Sequence, residues 1–191
     1  YYPGSFSWPE DMRLSDLISG WEQFPPGLDL DYAILSRKDP STGEVSALLV
    51  NPAGVIAEPG GAEDVSLHSK DQIMLFGNDS ARSGQLASLL GQLKSQQNID
   101  NASQVVSISG PVKFPGEYPL TDSMNISHIV KAAGDLAAGL DLEYAIIARK
   151  DHVTGEFSVL QINPAELIDE SSGTAHFALK SSDSVMLFGQ D

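Results

Sequence analysis

Residues 27–56, GLDLDYAILSRKDPSTGEVSALLVNPAGVI, and residues 139–168, GLDLEYAIIARKDHVTGEFSVLQINPAELI, are two versions of one segment, 112 positions apart and aligned without a gap. The match runs outward from Pro3-Gly4 over Pro115-Gly116 to the MLFG runs ending at Gly77 and Gly189. Over residues 2–77 and 114–189, 32 of 76 positions are identical. Self-similarity at a fixed spacing marks repetition of one structural unit, so the chain reads as a duplication. Between the copies, residues 78–104 are polar at both ends and periodic in the middle. Leu86, Leu89, Leu90 and Leu93 fall at i, i+3, i+4 and i+7, the apolar stripe of a helix over about residues 80–97. The resulting division is a first domain at 1–79, a helical linker at 80–103 and a second domain at 104–191.

Within one copy the elements follow from local chemistry. Residues 105–110, VVSISG, alternate and are β-branched; Pro115-Gly116 supplies a turn, and Glu117-Tyr118-Pro119-Leu120 returns as a short strand. Leu14, Leu17, Ile18 and Trp21, and in the second copy Ile126, Ile129, Val130 and Ala133, each form a helical stripe, with Gly134 suited to the left-handed residue that ends the second helix. Two strands follow around Pro40-Ser41-Thr42-Gly43 and around His152-Val153-Thr154-Gly155. Asn51-Pro52 and Asn163-Pro164 match an N-cap followed by proline at the first helical position. QIMLF and SVMLF are short apolar strands, expected in the interior of a sheet. The expectation is an α+β fold of two tandem β-grasp-like domains, each a mixed four- or five-stranded sheet with one main helix. Residues 105–112 have no counterpart ahead of the first copy, so the chain is expected to be a piece of a longer protein whose first domain here lacks its opening strand.

The chain has 191 residues with 26 acidic and 11 basic side chains, a formal net charge of -15, 41% hydrophobic residues and no cysteine. This is the composition of a folded chain. An acidic surplus of this size repels phosphate backbones, which excludes nucleic acid as a main partner. Without cysteine there is no disulfide, thiol nucleophile or zinc knuckle. No apolar run approaches the roughly 18 residues that span a bilayer, so no membrane span is expected in this segment.

Residues 105–135, VVSISGPVKFPGEYPLTDSMNISHIVKAAGD, resemble the signature of the soluble-ligand-binding β-grasp (SLBB) family. The motif positions are Gly110, Val112, Pro115, Gly116, Tyr118, Ala133, Gly134 and Asp135. The downstream Arg-x-x-x-x-Gly hairpin, the NPAELI turn and the closing Leu-x-x-x-Asp-x-Val-x-Leu-Phe are similar to parts of such modules in outer-membrane polysaccharide export proteins of Gram-negative bacteria. The first copy departs from the pattern, with Phe6 for the tyrosine and Gly20-Trp21-Glu22 for Ala-Ala-Gly. The resemblance implies a periplasmic, non-catalytic module in a ring-forming protein that carries capsular or exopolysaccharide outward. Its implied partners are further copies of itself, other subunits of the export complex, and a polysaccharide; no cofactor is implied. The alternative is a small-molecule or glycan receptor on the same fold.

The candidate contact residues are few. Arg37, Lys38, Arg149 and Lys150 recur as two equivalent pairs on an acidic chain, suited to an acidic glycan or an acidic neighbour through charge-assisted hydrogen bonds. A role in the hairpins, with Asp39, Glu44, Asp151 and Glu156 facing them, is the competing reading. Trp8 is a candidate for stacking on a sugar ring, whereas Tyr32 and Tyr144 read as core or half-buried. His68, His128, His152 and His176 have no histidine at the matching position of the other copy, so no metal site is expected. No carboxylate pair is placed by the sequence for glycoside hydrolysis, and Pro59-Gly60-Gly61 lacks the residues of a phosphate loop. No catalytic residue is assigned.

Overall fold

The computed structural model describes residues 11–18, 20, 22, 24–78, 82–98, 101–168 and 176–190. Pro3, Gly4, Phe6, Trp8 and Trp21 lie outside the described residues. The chain is α+β and separates into two compact units, Tyr1–Ser80 and Ala81–Asp191.

The first unit contains α1 (Leu14–Leu17), β1 (Leu28–Lys38), β2 (Val45–Val50), α2 (Pro52–Ala57) and β3 (Gln72–Gly77), with sheet order β2-β1-β3. All pairing is antiparallel, from Ala33 opposite Val50 to Lys38 opposite Val45, and from Ala33 opposite Leu75 to Ser36 opposite Gln72. The β1–β2 turn is built by Asp39, whose Oδ1 accepts from the Ser41 and Thr42 amides at 2.7 and 2.8 Å. Gly43 closes it at φ 78, in the left-handed region that suits glycine. Asn51 caps α2 by accepting from the Gly54 N–H at 3.0 Å.

Leu14, Ile18, Ala33, Leu35, Val50, Val55 and Leu67 form the core on one face of the sheet. The helix expected over Leu14–Trp21 is one turn long in the described residues, because Ile18 already has non-helical φ -115, ψ 85. Ser19 and Gly20 stand where the second copy has Lys131 and Ala132, and serine and glycine extend a helix less readily. What holds α1 is lateral: the buried Asp64 accepts from Ser15 N–H at 2.9 Å and Ser15 Oγ at 2.7 Å, and from Gly60 N–H at 2.8 Å. Burial alone pushes the Asp64 carboxyl up; these bonds outweigh it and hold it below the usual carboxylate range.

The second unit contains α3 (Ser83–Ser95), β4 (Val105–Ser109), β5 (Gly116–Pro119), α4 (Ile126–Ala132), β6 (Leu140–Lys150), β7 (Phe157–Ile162), α5 (Ala165–Ile168) and β8 (Ser184–Gly189). Its sheet order is β5-β4-β8-β6-β7. The β6 pairings reproduce those of β1 shifted by 112 residues, including the irregularity after the first pair. Within that irregularity both copies carry the same local bond: Asp29 Oδ1 accepts from the Asp31 N–H at 2.9 Å, and Asp141 Oδ1 from the Glu143 N–H at 2.8 Å. The sheet is mixed because β4 runs parallel to β8, Ser107 opposite Ser184 and Ile108 opposite Val185. β8 is therefore interior, whereas β3 pairs on one side only among the described residues.

The helix expected as a linker over about residues 80–97 is α3, Ser83–Ser95, and it belongs to the second unit. Leu86, Leu89, Leu90 and Leu93 are all buried, with the helix laid against β5 and β4. Lys94 Nζ reaches both Glu117 oxygens at 2.7 Å. At its other end the buried Arg82 donates to the Ala132 carbonyl at the end of α4 and lies 4.9 Å over the Phe114 ring.

Candidate functional site

The repeated arginines are held by their own domains. Arg37 donates through Nε and Nη2 to both oxygens of Asp71, at 3.1 and 2.7 Å, and through Nη2 to the Ser66 carbonyl at 2.8 Å. Arg149 does the same to Asp183, at 2.7 and 2.7 Å, with Ala178 O at 3.3 Å and the Phe177 ring 5.6 Å from its Cζ. Planar two-point pairing of this kind fixes the guanidinium rigidly. The hydrogen bonds that Arg149 donates to Asp183 outweigh the cost of desolvation and raise the Arg149 pKa above its usual value. Asp183 Oδ2 also accepts from the Lys180 N–H, and Asp71 Oδ2 from the His68 N–H, both at 2.8 Å. Each pair thereby ties the long strand to the turn that launches the last strand.

Lys38 and Lys150 are exposed at the strand ends, with Lys150 Nζ 5.5 Å from the Phe157 ring centre. Asp39 and Asp151 cap their hairpin turns instead of facing the arginines. Hydrogen bonds from the Ser41 hydroxyl and then the Thr42 and Ser41 amides bring the Asp39 carboxyl down to about 2. The Asp151 carboxyl is lowered by the Thr154 and Val153 amides. Trp8 lies outside the described residues, and no sugar-stacking geometry is assigned to it.

The motif residues of the second copy occupy positions of demanding geometry. Gly110 has φ 100, and a Cβ there would overlap the Leu187 carbonyl. Gly134 has φ 74, and a Cβ would come 2.8 Å from the Phe114 ring. Tyr118 is buried and donates to the Phe114 carbonyl at 2.6 Å, closing the loop that contains Pro115 and Gly116. Burial, opposed by the nearby Arg82 charge, pushes its hydroxyl up to about 12.

One surface distinguishes the copies. On the second sheet Tyr144, Phe188, Val159 and Phe157 share a face with Lys150 and are all exposed, Phe157 by 72% and Val159 by 63%. Tyr144 and Phe188 lie 5.4 Å apart between ring centres. The same two positions in the first copy, Tyr32 and Phe76, are stacked at 5.2 Å and fully buried, 1% and 0% exposed. Tyr32 is thus a core residue as expected, and Tyr144 is not: at 42% exposure it belongs to an uncovered apolar face. Identical residue types do not report their own burial, since what covers a sheet face is supplied by other elements.

Sequence reasoning missed Asp71 and Asp183 as partners of the arginines, although both recur at the spacing of 112. It also missed Arg82 and Asp64, which have no basic or acidic counterpart in the other copy to mark them. Among the described residues no cluster of three or more metal-ligating side chains occurs, and no helix is long and apolar enough to cross a membrane. The chain matches no protein-family model and no curated protein.

Proposed function

We propose that the chain is a non-catalytic tandem module of the soluble-ligand-binding β-grasp type, from a protein that exports capsular or exopolysaccharide across the Gram-negative outer membrane. It acts in the periplasm, where it builds contacts between subunits. The sequence signature of residues 105–135 supports the family. The sheet of the second unit supports the β-grasp reading: numbered from β4, its strands run second-first-fifth-third-fourth, with first and fifth parallel and a helix between the two hairpins, as that reading expects.

The observation that carries assembly is the exposed face of Tyr144, Phe157, Val159 and Phe188. An exposed apolar sheet face of this kind marks a binding surface, and the counterparts Tyr32, Ala47 and Phe76 in the first copy are buried. Sedimentation velocity over a range of concentrations tests this. The chain is expected to self-associate, and Phe157→Asp with Val159→Asp to abolish association, since both side chains are largely exposed and their replacement leaves the fold intact. Monomeric behaviour of the parent chain at about millimolar concentration would sink the assembly reading.

Contact with a polysaccharide is the second part of the proposal. Tyr144 and Phe188 are exposed aromatic residues of the kind that stack on a sugar, and Lys150 lies on the same sheet face, suited to an acidic one. Calorimetric heat on adding an acidic glycan, lost in Lys150→Ala, would favour a receptor over an assembly module. Arg149 is a poor choice for that experiment because its guanidinium holds Asp183.

A further inference from the structure

In the second unit β7 is an edge strand: among the described residues it pairs only with β6. Its main-chain groups alternate in direction. At the hairpin the Asp151 N–H donates to the Glu156 carbonyl at 2.9 Å. Arg149 opposite Ser158 and Ile147 opposite Leu160 continue the same kind of bonded pair at every second residue. The N–H and carbonyl groups of Phe157, Val159 and Gln161 therefore point away from β6.

The repeat shows where the chain's own segments lie, and it is elsewhere. Residues 57–63, the counterpart of 169–175, turn back on themselves, with the Gly61 N–H on the Glu58 carbonyl at 2.9 Å and the Gly60 N–H on the Asp64 carboxylate at 2.8 Å. They leave β2, the counterpart of β7, paired with β1 alone among the described residues. The segment ahead of the second copy is β4, which lies between β5 and β8 on the other side of the sheet. The segment that follows the first copy is α3, which lies against β5 and β4.

Strand edges in natural proteins are kept from pairing by charge, proline or bulges. β7, Phe157–Ile162, reads FSVLQI, with no charge and no proline on a chain of net charge -15, it runs in unbroken register, and residues 157–161 are exposed. A neutral edge on an acidic chain accepts a neutral strand, and β7 of a second copy is one. A two-fold axis through Val159 sets Val159 opposite the partner's Val159 and Phe157 opposite the partner's Gln161. All of these residues turn their main-chain groups outward, so the pairing closes about six main-chain hydrogen bonds. No charged residue stands opposite another in it, so the acidic surplus does not oppose the contact.

We propose that β7 joins two copies of the chain, pairing antiparallel with β7 of the second copy about a two-fold axis at Val159. The inference rests on the assembly reading above and names its contact, the strand edge, with Phe157 and Val159 of both copies brought to one side of a continuous sheet.

The chain has no cysteine, so Val159→Cys or Ser158→Cys each supplies a single thiol. At the axis the two Cα atoms lie about 5.5 Å apart, within disulfide reach, whereas those of residue 158 lie beyond the limit of about 7 Å. Mild oxidation of the full chain is expected to form a covalent dimer at least tenfold faster with Val159→Cys than with Ser158→Cys, and equal rates would overturn the proposal. Val159→Pro removes an outward donor and keeps the bonds to β6. With its far-ultraviolet circular dichroism unchanged, it is expected to associate at least tenfold more weakly in sedimentation velocity. A parent chain that associates, beside a folded Val159→Pro chain that associates equally well, would overturn the edge contact and leave the assembly reading standing. A parent chain that stays monomeric at about millimolar concentration would overturn both.

Discussion

Replacing Asp183 by alanine is expected to destabilise the second unit by about 2–4 kcal/mol. The carboxylate is buried, takes two Arg149 donors at 2.7 Å, and accepts a third bond from the Lys180 N–H. Removing one member of a fully buried ion pair costs about 3–5 kcal/mol, because the other charge loses its partner without regaining water. The Arg149 side chain retains 19% exposure, so part of its guanidinium can be rehydrated, and this lowers the upper bound. The lost bond at Lys180 adds about 1 kcal/mol in the other direction. A domain of this size is held by about 5–15 kcal/mol, and urea slopes for small domains are about 1–3 kcal/mol per molar. The midpoint in a urea titration followed by far-ultraviolet circular dichroism should therefore fall by about 1–2 M. A double-mutant cycle with Arg149→Met, which keeps the stem over Phe177, should return a coupling of about 1.5–3 kcal/mol. A single-mutant loss within about 0.5 kcal/mol, the range of exposed ion pairs, would refute the reasoning.

Three further outcomes are expected. Gly110→Ala should cost more than about 2 kcal/mol, from a left-handed φ and overlap with the Leu187 carbonyl, whereas Gly91→Ala in α3, where a Cβ meets nothing, should stabilise by about 0.5–1 kcal/mol; thermal melts compare the two. The Asp39 carboxyl should titrate near 2 by carbon NMR. Because its folded pKa lies below the unfolded value of 3.8, its stabilisation is complete above about 4 and is lost as pH falls through 2; a midpoint near 4 would mean that the turn does not hold it. In an alkaline absorbance titration Tyr118 should ionise near 12, and Tyr118→Phe should remove that step and cost about 1 kcal/mol through the Phe114 carbonyl left without its hydroxyl.

Much of the fold is legible in local chemistry. The hairpin turns are legible in the segments ending at Gly43 and Gly155, the α2 start in Asn51-Pro52, and the α3 helix in its leucine spacing, and each of these acts within a few residues of itself; that Asp39 and Asp151 cap those turns is not legible in the same way. Local chemistry says less wherever a residue's role depends on distant elements. Arg37 and Arg149 stood out by recurrence, but their carboxylate partners lie 34 residues away, across the second strand and the short helix. A charge pattern alone cannot say whether such an arginine faces solvent or a buried aspartate.

By itself the sequence determined the duplication, its spacing of 112 and the identity of most elements, because repeats and turn signals are local and survive without knowledge of what packs where. Only the tertiary structure decided that α3 is part of the second unit, that β8 is interior while the matching β3 pairs on one side only among the described residues, and that Tyr32 is buried while Tyr144 is exposed. The physical reason is the same in each case: burial and strand pairing are completed by groups outside the segment itself, so two related segments acquire different surfaces.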